Sequence, residues 1–564
     1  MKRFFRWVLL GTIAFGISQH SLRAQEPEPT AVIPPPSAAL NSSSTKIVEK
    51  PVAYTPLQGA HELYLMGQFD RAIERYRASL QGGAVDAAAY AGIARAYLKL
   101  KQPDEAFAAA SKAVELDPFL PASHTALGDV YIRQGKLYEA QSEFLQPFKD
   151  HHSDPRAYYG LHRLYIASFN FKKAKVAIDQ AYALDPKDPE ISGAWMASRP
   201  LAERIKAAED TLGSPTGFYN RSQMSDLRHN LAVMKDEAAH PERTCKLVSR
   251  PETADIPLVP SGTEDHRTGL VAIETKVNGA KARLVVGTFR DMLTINNKVA
   301  EKANLEQIVR TNIDGLGEDN PPEGYVAFAQ SVSVGNLQLE NCYVRVVQEA
   351  AEKSFYSMND GVFPVSLLPG YLVDIDFPYA TLRLRPLPAR PSKEDVDAAQ
   401  MDSKDPDAAK FSDRYVSPDM SSWTQLYQLG GAIVIPARVN DSPPKLFSVT
   451  SEAYSNALSS NFAEEWASAP KDPSALTVDS RSAISPNVYS TDGRITARWS
   501  GPIKLEFAGF YFGATAERSF SLKMMSDRGA EIGGIIGLET LKNLRVMIDY
   551  RDGLIHFDNS WNRQ

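Results

Sequence analysis

The chain is poor in cysteine, with only Cys245 and Cys342 among its 564 residues. So few thiols exclude a disulfide-dense scaffold. Neither cysteine belongs to a Cys-X-X-Cys pair, and the ten histidines, the neighbours His151 and His152 included, form no ligand cluster. No metal site is therefore expected. Gly-X-Ser-X-Gly, His-Glu-X-X-His and phosphate-loop patterns are all missing, which leaves no motif-based case for the chemistries they support. No cofactor is expected either. An excess of positive charge is also missing. The formal net charge of −6 argues against a nucleic-acid partner. Past the N-terminus no apolar run reaches the roughly 18 residues of a membrane span.

The N-terminus MKRFFRWVLLGTIAFGISQHSLRAQ carries Lys2, Arg3 and Arg6, then an apolar stretch from Trp7 to Ile17, with Ala24 before Gln25. This is the layout of a secretory signal over residues 1–24, although Leu22 stands where a small residue is preferred. The alternative is an uncleaved anchor; no cysteine follows, so a lipoprotein anchor is excluded. The expected location is periplasmic or secreted, with no membrane span after cleavage. Disulfides persist in such compartments, so Cys245 and Cys342 are either one bridge or two buried thiols. Residues 25–56 are rich in proline and serine and read as a linker.

From residue 57 the chain becomes periodic. Tyr97, Tyr131 and Tyr165 recur every 34 residues, as do Ala72, Ala106, Ala140 and Ala174, and Leu63 stands one period before Tyr97. Pro118 and Pro186 close two of the units in Leu-Asp-Pro triplets. The pattern resembles the tetratricopeptide repeat, which implies an α-solenoid over 57–190 with a concave groove for a protein or peptide. The alternative is a spacer or dimerising element. Residues 191–245 continue with helical periodicity and read as helices that cap the stack. A stack whose repeats touch only their neighbours should stand as its own unit, so a piece spanning 57–240 should stay helical alone.

After residue 246 the pattern changes to short strands rich in Val, Leu and aromatics, in two segments, 246–388 and 428–564. The acidic stretch 389–427 reads as their connector. Both segments open with a hairpin signal followed by a small-residue turn: VNGAKARLVVGTF from Val277 to Phe289, and VNDSPPKLFSVTSEA from Val439 to Ala453. The second closes with GGIIGLETLKNLRVMIDYRDGLIHF, from Gly533 to Phe557. The first has a weaker counterpart from Gly361 to Leu384, with Pro364 where a glycine is expected.

These runs resemble retropepsin-like aspartic peptidases, whose opening hairpin carries the catalytic aspartate in Asp-Thr-Gly. The resemblance implies two all-β acid-protease units forming a pseudo-dimer behind the solenoid. It also implies that Thr288 and Ser451 brace the two loops, and that Asp314, Gly315 and Gly317 belong to a flap-like hairpin. Gly287 and Thr450 occupy the aspartate slots. A glycine has no side chain to act as an acid, and a threonine hydroxyl stays neutral near pH 7, so no catalytic residue is assigned. Asp291 and Glu452, displaced along the chain, are expected to lie several ångströms from productive positions. The favoured reading is a pseudo-peptidase that binds a protein or extended peptide through the solenoid groove and the cleft between the β units. The alternative is an active aspartic endopeptidase with displaced acids. A third possibility is a structural assembly protein whose β body is a folded remnant, signalled by Phe289 and Tyr454 filling the cleft.

Overall fold

The computed structural model describes residues 58–80, 86–149, 152–213, 218–219, 221–262, 267–288, 292–312, 323–348, 355–368, 370–391, 414–429, 431–467, 476–479, 494–520, 522 and 530–559. The signal segment 1–24, the linker 25–56, the flap-like residues Asp314, Gly315 and Gly317, and most of the acidic connector lie outside the described residues.

The helical region runs α1 (Gln58–Leu65), α2 (Phe69–Ser79), α3 (Ala87–Lys99), α4 (Pro103–Leu116), α5 (Pro121–Arg133), α6 (Leu137–Lys149), α7 (Pro155–Ala167), α8 (Phe171–Leu184), α9 (Pro189–Ala197), α10 (Leu201–Gly213) and α11 (Arg221–Ala239). The sequence punctuates these helices with known start signals. Asp86, Asp154 and Asp188 each accept hydrogen bonds from the first-turn amides of α3, α7 and α9, at 2.8–3.2 Å. Proline opens α4, α5, α7 and α9, where its missing N–H costs nothing. The turn inside each pair uses one left-handed residue at the repeat interval: Gly67, Lys101, Gly135 and Phe169. Repeat packing depends on small residues facing rings. Phe144 is fully buried, and a Cβ on either Gly128 or Gly160 would collide with its ring.

The β region contains β1 (Lys246–Ser249), β2 (Ala254–Pro257), β3 (Val259–Gly262), β4 (Arg267–Val277), β5 (Ala280–Gly287), β6 (Thr294–Asn296), β7 (Glu306–Asn312), β8 (Glu323–Val334), β9 (Leu337–Val347), β10 (Gly361–Pro364), β11 (Tyr371–Asp376) and β12 (Thr381–Pro386). The second half continues with β13 (Thr424–Gln425), β14 (Tyr427–Leu429), β15 (Ala432–Val439), β16 (Lys445–Val449), β17 (Ala457–Ser459), β18 (Leu476–Asp479), β19 (Arg494–Phe507), β20 (Phe510–Phe520), β21 (Gly534–Ile536), β22 (Arg545–Asp549) and β23 (Leu554–Asp558). Strand β13 and the start of β14 precede residue 428, so the second half begins inside the stretch that reads as connector.

The two halves repeat one topology. Strand β10 runs parallel to β5 and antiparallel to β6, while β21 runs parallel to β16 and antiparallel to β17. Strand β6 is parallel to β9, and β17 to β20. The hairpins β11–β12 and β22–β23 then join edge to edge. Strand β11 pairs antiparallel with β22 around Asp374↔Met547, making one sheet in the order β13-β23-β22-β11-β12-β2. The architecture is thus a helical-repeat solenoid followed by two β units of one topology arranged as a pseudo-dimer within one chain. Their apolar faces form one core, in which Val285 and Ile375 of the first half pack with Val449, Ile536 and Ile548 of the second. Arg545 of the second half donates to both carboxylate oxygens of buried Asp374 in the first, at 2.7 and 2.6 Å. Such a bidentate pair fixes register as well as charge.

The solenoid's contacts extend beyond its own neighbouring repeats. A second apolar cluster joins Ile132, Leu137, Phe144, Leu161 and Tyr165 of α5–α7 to Tyr427, Val434, Leu446, Ile532 and Ile535 of the second β half. The α5–α6 turn is hydrogen-bonded to the β body: Glu531 N donates to Arg133 O at 2.7 Å, and Lys445 Nζ to Gln134 O at 2.5 Å. Burial there pushes the Lys445 ammonium below its ordinary value. Helix α11 leans on the first half, where Asp236 accepts from Tyr343 and pairs with Arg243. A piece spanning 57–240 would therefore uncover apolar surface at the first contact and deprive Asp236 of Tyr343 and Arg243 at the second.

Phe169 shows how the docking is built. A bulky residue at φ +62° is unfavourable, yet Phe169 is buried with its ring against the Gly553 turn and inside the main β core. Burial of the ring outweighs the backbone cost. Phe169→Gly should relieve that cost, of order 1 kcal/mol, but lose packing worth about 3 kcal/mol or more. Denaturant unfolding of the full chain is expected to show net destabilisation. A neutral or stabilised variant would contradict the docking role.

Candidate functional site: the centre between the two β halves

Strand β5 ends at Gly287, leading into Thr288, and β16 ends at Val449, leading into Thr450 and Ser451. Each loop rests on a parallel strand: Pro364 is in register with Gly287, and Thr450 N donates to Ile536 O at 3.0 Å. Across the centre, Thr288 Oγ1 donates to Val449 O at 2.8 Å and accepts from Ser451 N at 3.3 Å. In return, Ser451 Oγ donates to Val286 O at 2.6 Å. Thr288 and Ser451 are buried, so each hydroxyl satisfies a backbone group of the opposite half. Gly287, Thr288, Thr450 and Ser451 therefore meet in one place. Phe289 and Asp291 lie outside the described residues.

Glu452 is the residue whose place the sequence misjudges. It does not stand several ångströms away: its fully buried carboxyl group lies against Gly287, the first aspartate slot. A Cβ added at 287 would stand 3.0 Å from the Glu452 carboxyl carbon, and closer still to Oε1 and to Val362 Cγ1. The side chain of the second half thus occupies space that an acid at 287 would need. Tyr550 is the other polar group nearby. Burial, and secondarily the charge of Glu452, raises its hydroxyl well above the ordinary tyrosine range. The chemistry of a carboxylate pair requires two acids sharing a proton beside a reachable water. Here one carboxylate is present among the described residues, and it is sealed from solvent.

The other sequence-predicted residues fall elsewhere. Cys245 and Cys342 are disulfide-bonded to each other, joining the approach to β1 with β9. Asp549 Oδ1 accepts from Arg551 N and Asp552 N, and Asp376 accepts from Tyr379 N and Arg383, so both hold turns. Tyr454 is partly buried, its ring covering the Gly269 backbone while its hydroxyl accepts from Lys542 Nζ at 3.3 Å. Among the described residues no cluster of three or more His, Cys, Asp or Glu could hold a metal ion. Among them, too, no helix is long and apolar enough to cross a membrane.

The solenoid contributes a second candidate surface. The first helices of successive repeats face one another through a row of charges at the repeat interval. Asp129 pairs with Arg95 at 3.6 Å and with Arg163 at 3.0 Å. At the far end Glu190 of α9 joins Lys99 of α3 and Arg156 of α7, each at 2.5 Å, while Arg156 also pairs with Asp188. Burial disfavours the Glu190 charge, but Lys99 and Arg156 more than offset it and hold its carboxyl well below the usual range. The inner face is thus a groove of mixed charge whose named groups pair with one another.

Comparisons with known proteins agree with the helical reading. A tetratricopeptide repeat family model matches residues 57–121. No curated protein matches the chain. Among solved structures, a thermophilic tetratricopeptide-repeat protein of Thermus thermophilus is 22% identical, covering 32% of this chain and 97% of its own at a TM-score of 0.25. YrrB, described as a tetratricopeptide-repeat protein with an unusual peptide-binding site, is 21% identical over 24% of this chain and 71% of its own, with a TM-score of 0.20. A retropepsin-like aspartic protease from Rickettsia conorii is 17% identical over 25% of this chain and 92% of its own, with a TM-score of 0.18.

The exclusion between residue 287 and Glu452 makes a quantitative test. Gly287→Ala should destabilise the chain by about 1–3 kcal/mol through overpacking. In a Glu452→Ala background the same change should cost less, a coupling of about 1 kcal/mol, with Val362 accounting for the remainder. Equal costs in both backgrounds, measured by chemical denaturation, would show that Glu452 does not fill the slot.

Proposed function

We propose that this chain is an exported, non-catalytic scaffold that binds a protein or an extended peptide. The solenoid groove and the cleft between the β halves are its two capture surfaces. One observation carries the reading: the cross-loop hydrogen bonds of Thr288 and Ser451 persist while Gly287 and Thr450 supply no acid. The buried Glu452 carboxyl group, lying where an acid at 287 would extend, supports it further. An acid-protease cleft holds an extended chain largely through backbone hydrogen bonds, and loss of the acids removes cleavage without removing that capture. The Cys245–Cys342 bridge, closing a separation of 97 residues, supports a periplasmic or secreted location, where such bonds persist.

The competing reading is an aspartic endopeptidase with displaced acids. Glu452 favours it by proximity to the slot and opposes it by burial, since a general base must reach the proton it removes. The remnant reading finds partial support in Tyr454, which packs on Gly269.

Purified mature protein is expected to leave an unbiased peptide library uncut between pH 3 and pH 7, while the immobilised protein retains a subset of its members. Pepstatin-sensitive turnover that disappears in Glu452→Gln or Asp291→Asn would overturn the non-catalytic reading. Retention of no peptide would remove the binding part.

A further inference from the structure

Two consecutive residues after α10, Phe218 and Tyr219, cross the inner face of the solenoid. Phe218 is buried, and its ring packs edge-on against Tyr64 of α1 and Phe69 of α2, with centroids at 5.9 and 6.1 Å. The Lys99 ammonium of α3 stands 4.5 Å above the same ring while bonding Glu190 across the groove. Tyr219 reaches the opposite wall, where its hydroxyl donates to Pro189 O at the start of α9 at 3.0 Å. One dipeptide therefore ties the first repeats of the stack to its last helices.

These contacts are the kind a bound peptide makes rather than those of a repeat with its neighbour. The repeats already close their own cores through the residues that recur along the chain, such as Ala72, Ala106 and Ala140. Phe218 belongs to no repeat position; it enters the first repeats' core from a segment remote in sequence. The seat it uses is aromatic on two sides and cationic on the third, and the cation is held in place by Glu190. An aromatic face set against an ammonium group gains from the ring quadrupole as well as from burial. A backbone carbonyl on α9 waits for a hydroxyl donor one residue further on.

We propose that the Phe218–Tyr219 dipeptide is a built-in occupant of the solenoid groove, and that the groove's external partner is a peptide presenting a Phe-Tyr-like aromatic pair that displaces it. The inference rests on reading the solenoid groove as a capture surface. It specifies what is captured, and it makes capture conditional on release of the internal segment. Because an intramolecular occupant is present at high effective concentration, the intact chain binds such peptides weakly until the segment leaves.

The test uses the full mature chain and, as probe, a fluorescein-labelled synthetic peptide of residues 214–222. In anisotropy titrations the Phe218→Ala/Tyr219→Ala variant is expected to bind the probe at least tenfold more tightly than wild type. Adding Lys99→Ala to that variant should abolish the gain. Tyr219→Phe, which removes only the bond to Pro189 O, is expected to raise affinity severalfold and serves if the double variant fails to fold. Failure of every folded variant to bind the probe more tightly than wild type overturns the proposal. So does a gain that persists without Lys99. If wild type retains library peptides that lack aromatic pairs, with affinities unchanged in Phe218→Ala/Tyr219→Ala, this inference falls while the scaffold reading stands.

Discussion

Two groups cannot occupy the same space, and around the centre of the β body that constraint decides which side chains fit. The Glu452 carboxyl group and a side chain at 287 compete for one position, and the chain has glycine there. Everything nearby is compatible with that choice. Thr288 and Ser451 still bond across the halves, the parallel strands still support both loops, and β11 still pairs with β22 beneath them. A buried carboxyl group in a low-dielectric site is costly unless its neighbours satisfy it. The centre of the β body is therefore packed around the Glu452 carboxyl group.

The same economy of space governs the solenoid. Its repeats close on rings admitted by Gly128 and Gly160, and its turns meet the second β half through Arg133, Gln134 and Phe169. The helical and β regions therefore share apolar surface. A ligand that altered the curvature of the repeats would act directly on the packing at Leu446 and Ile535, which lie in the same cluster as Leu137 and Tyr165. Coupling between the two proposed capture surfaces has a physical route in that contact.

Much of this was legible in the residues because it follows from periodicity. Tyr97, Tyr131 and Tyr165 announce the repeat, and the paired hairpin signals at 277–289 and 439–453 announce two related β units. Thr288 and Ser451 could be placed because the resemblance to retropepsin-like peptidases implies a hydroxyl that braces each loop. Glu452 could not. Its side chain direction depends on the loop conformation after Thr450, which spacing along the chain does not encode. The docking of solenoid on β body was hidden for another reason. Apolar residues at turn tips look like ordinary repeat residues, although Phe169 stands where Gly67, Lys101 and Gly135 take a left-handed turn and is the one apolar side chain in that series. Phe218 and Tyr219 carried no periodic signal at all, since a single crossing has nothing to repeat.

The central claim is that this acid-protease-like body holds chains without hydrolysing them. Oxygen exchange tests it with more sensitivity than product detection, because a peptidase of even slight activity carries water oxygen into the C-terminal carboxylates of peptides it holds. Peptides incubated with the protein in 18O-enriched water should show no label above that of a protein-free control. Label that grows with protein concentration, and vanishes in Glu452→Gln, would contradict the account.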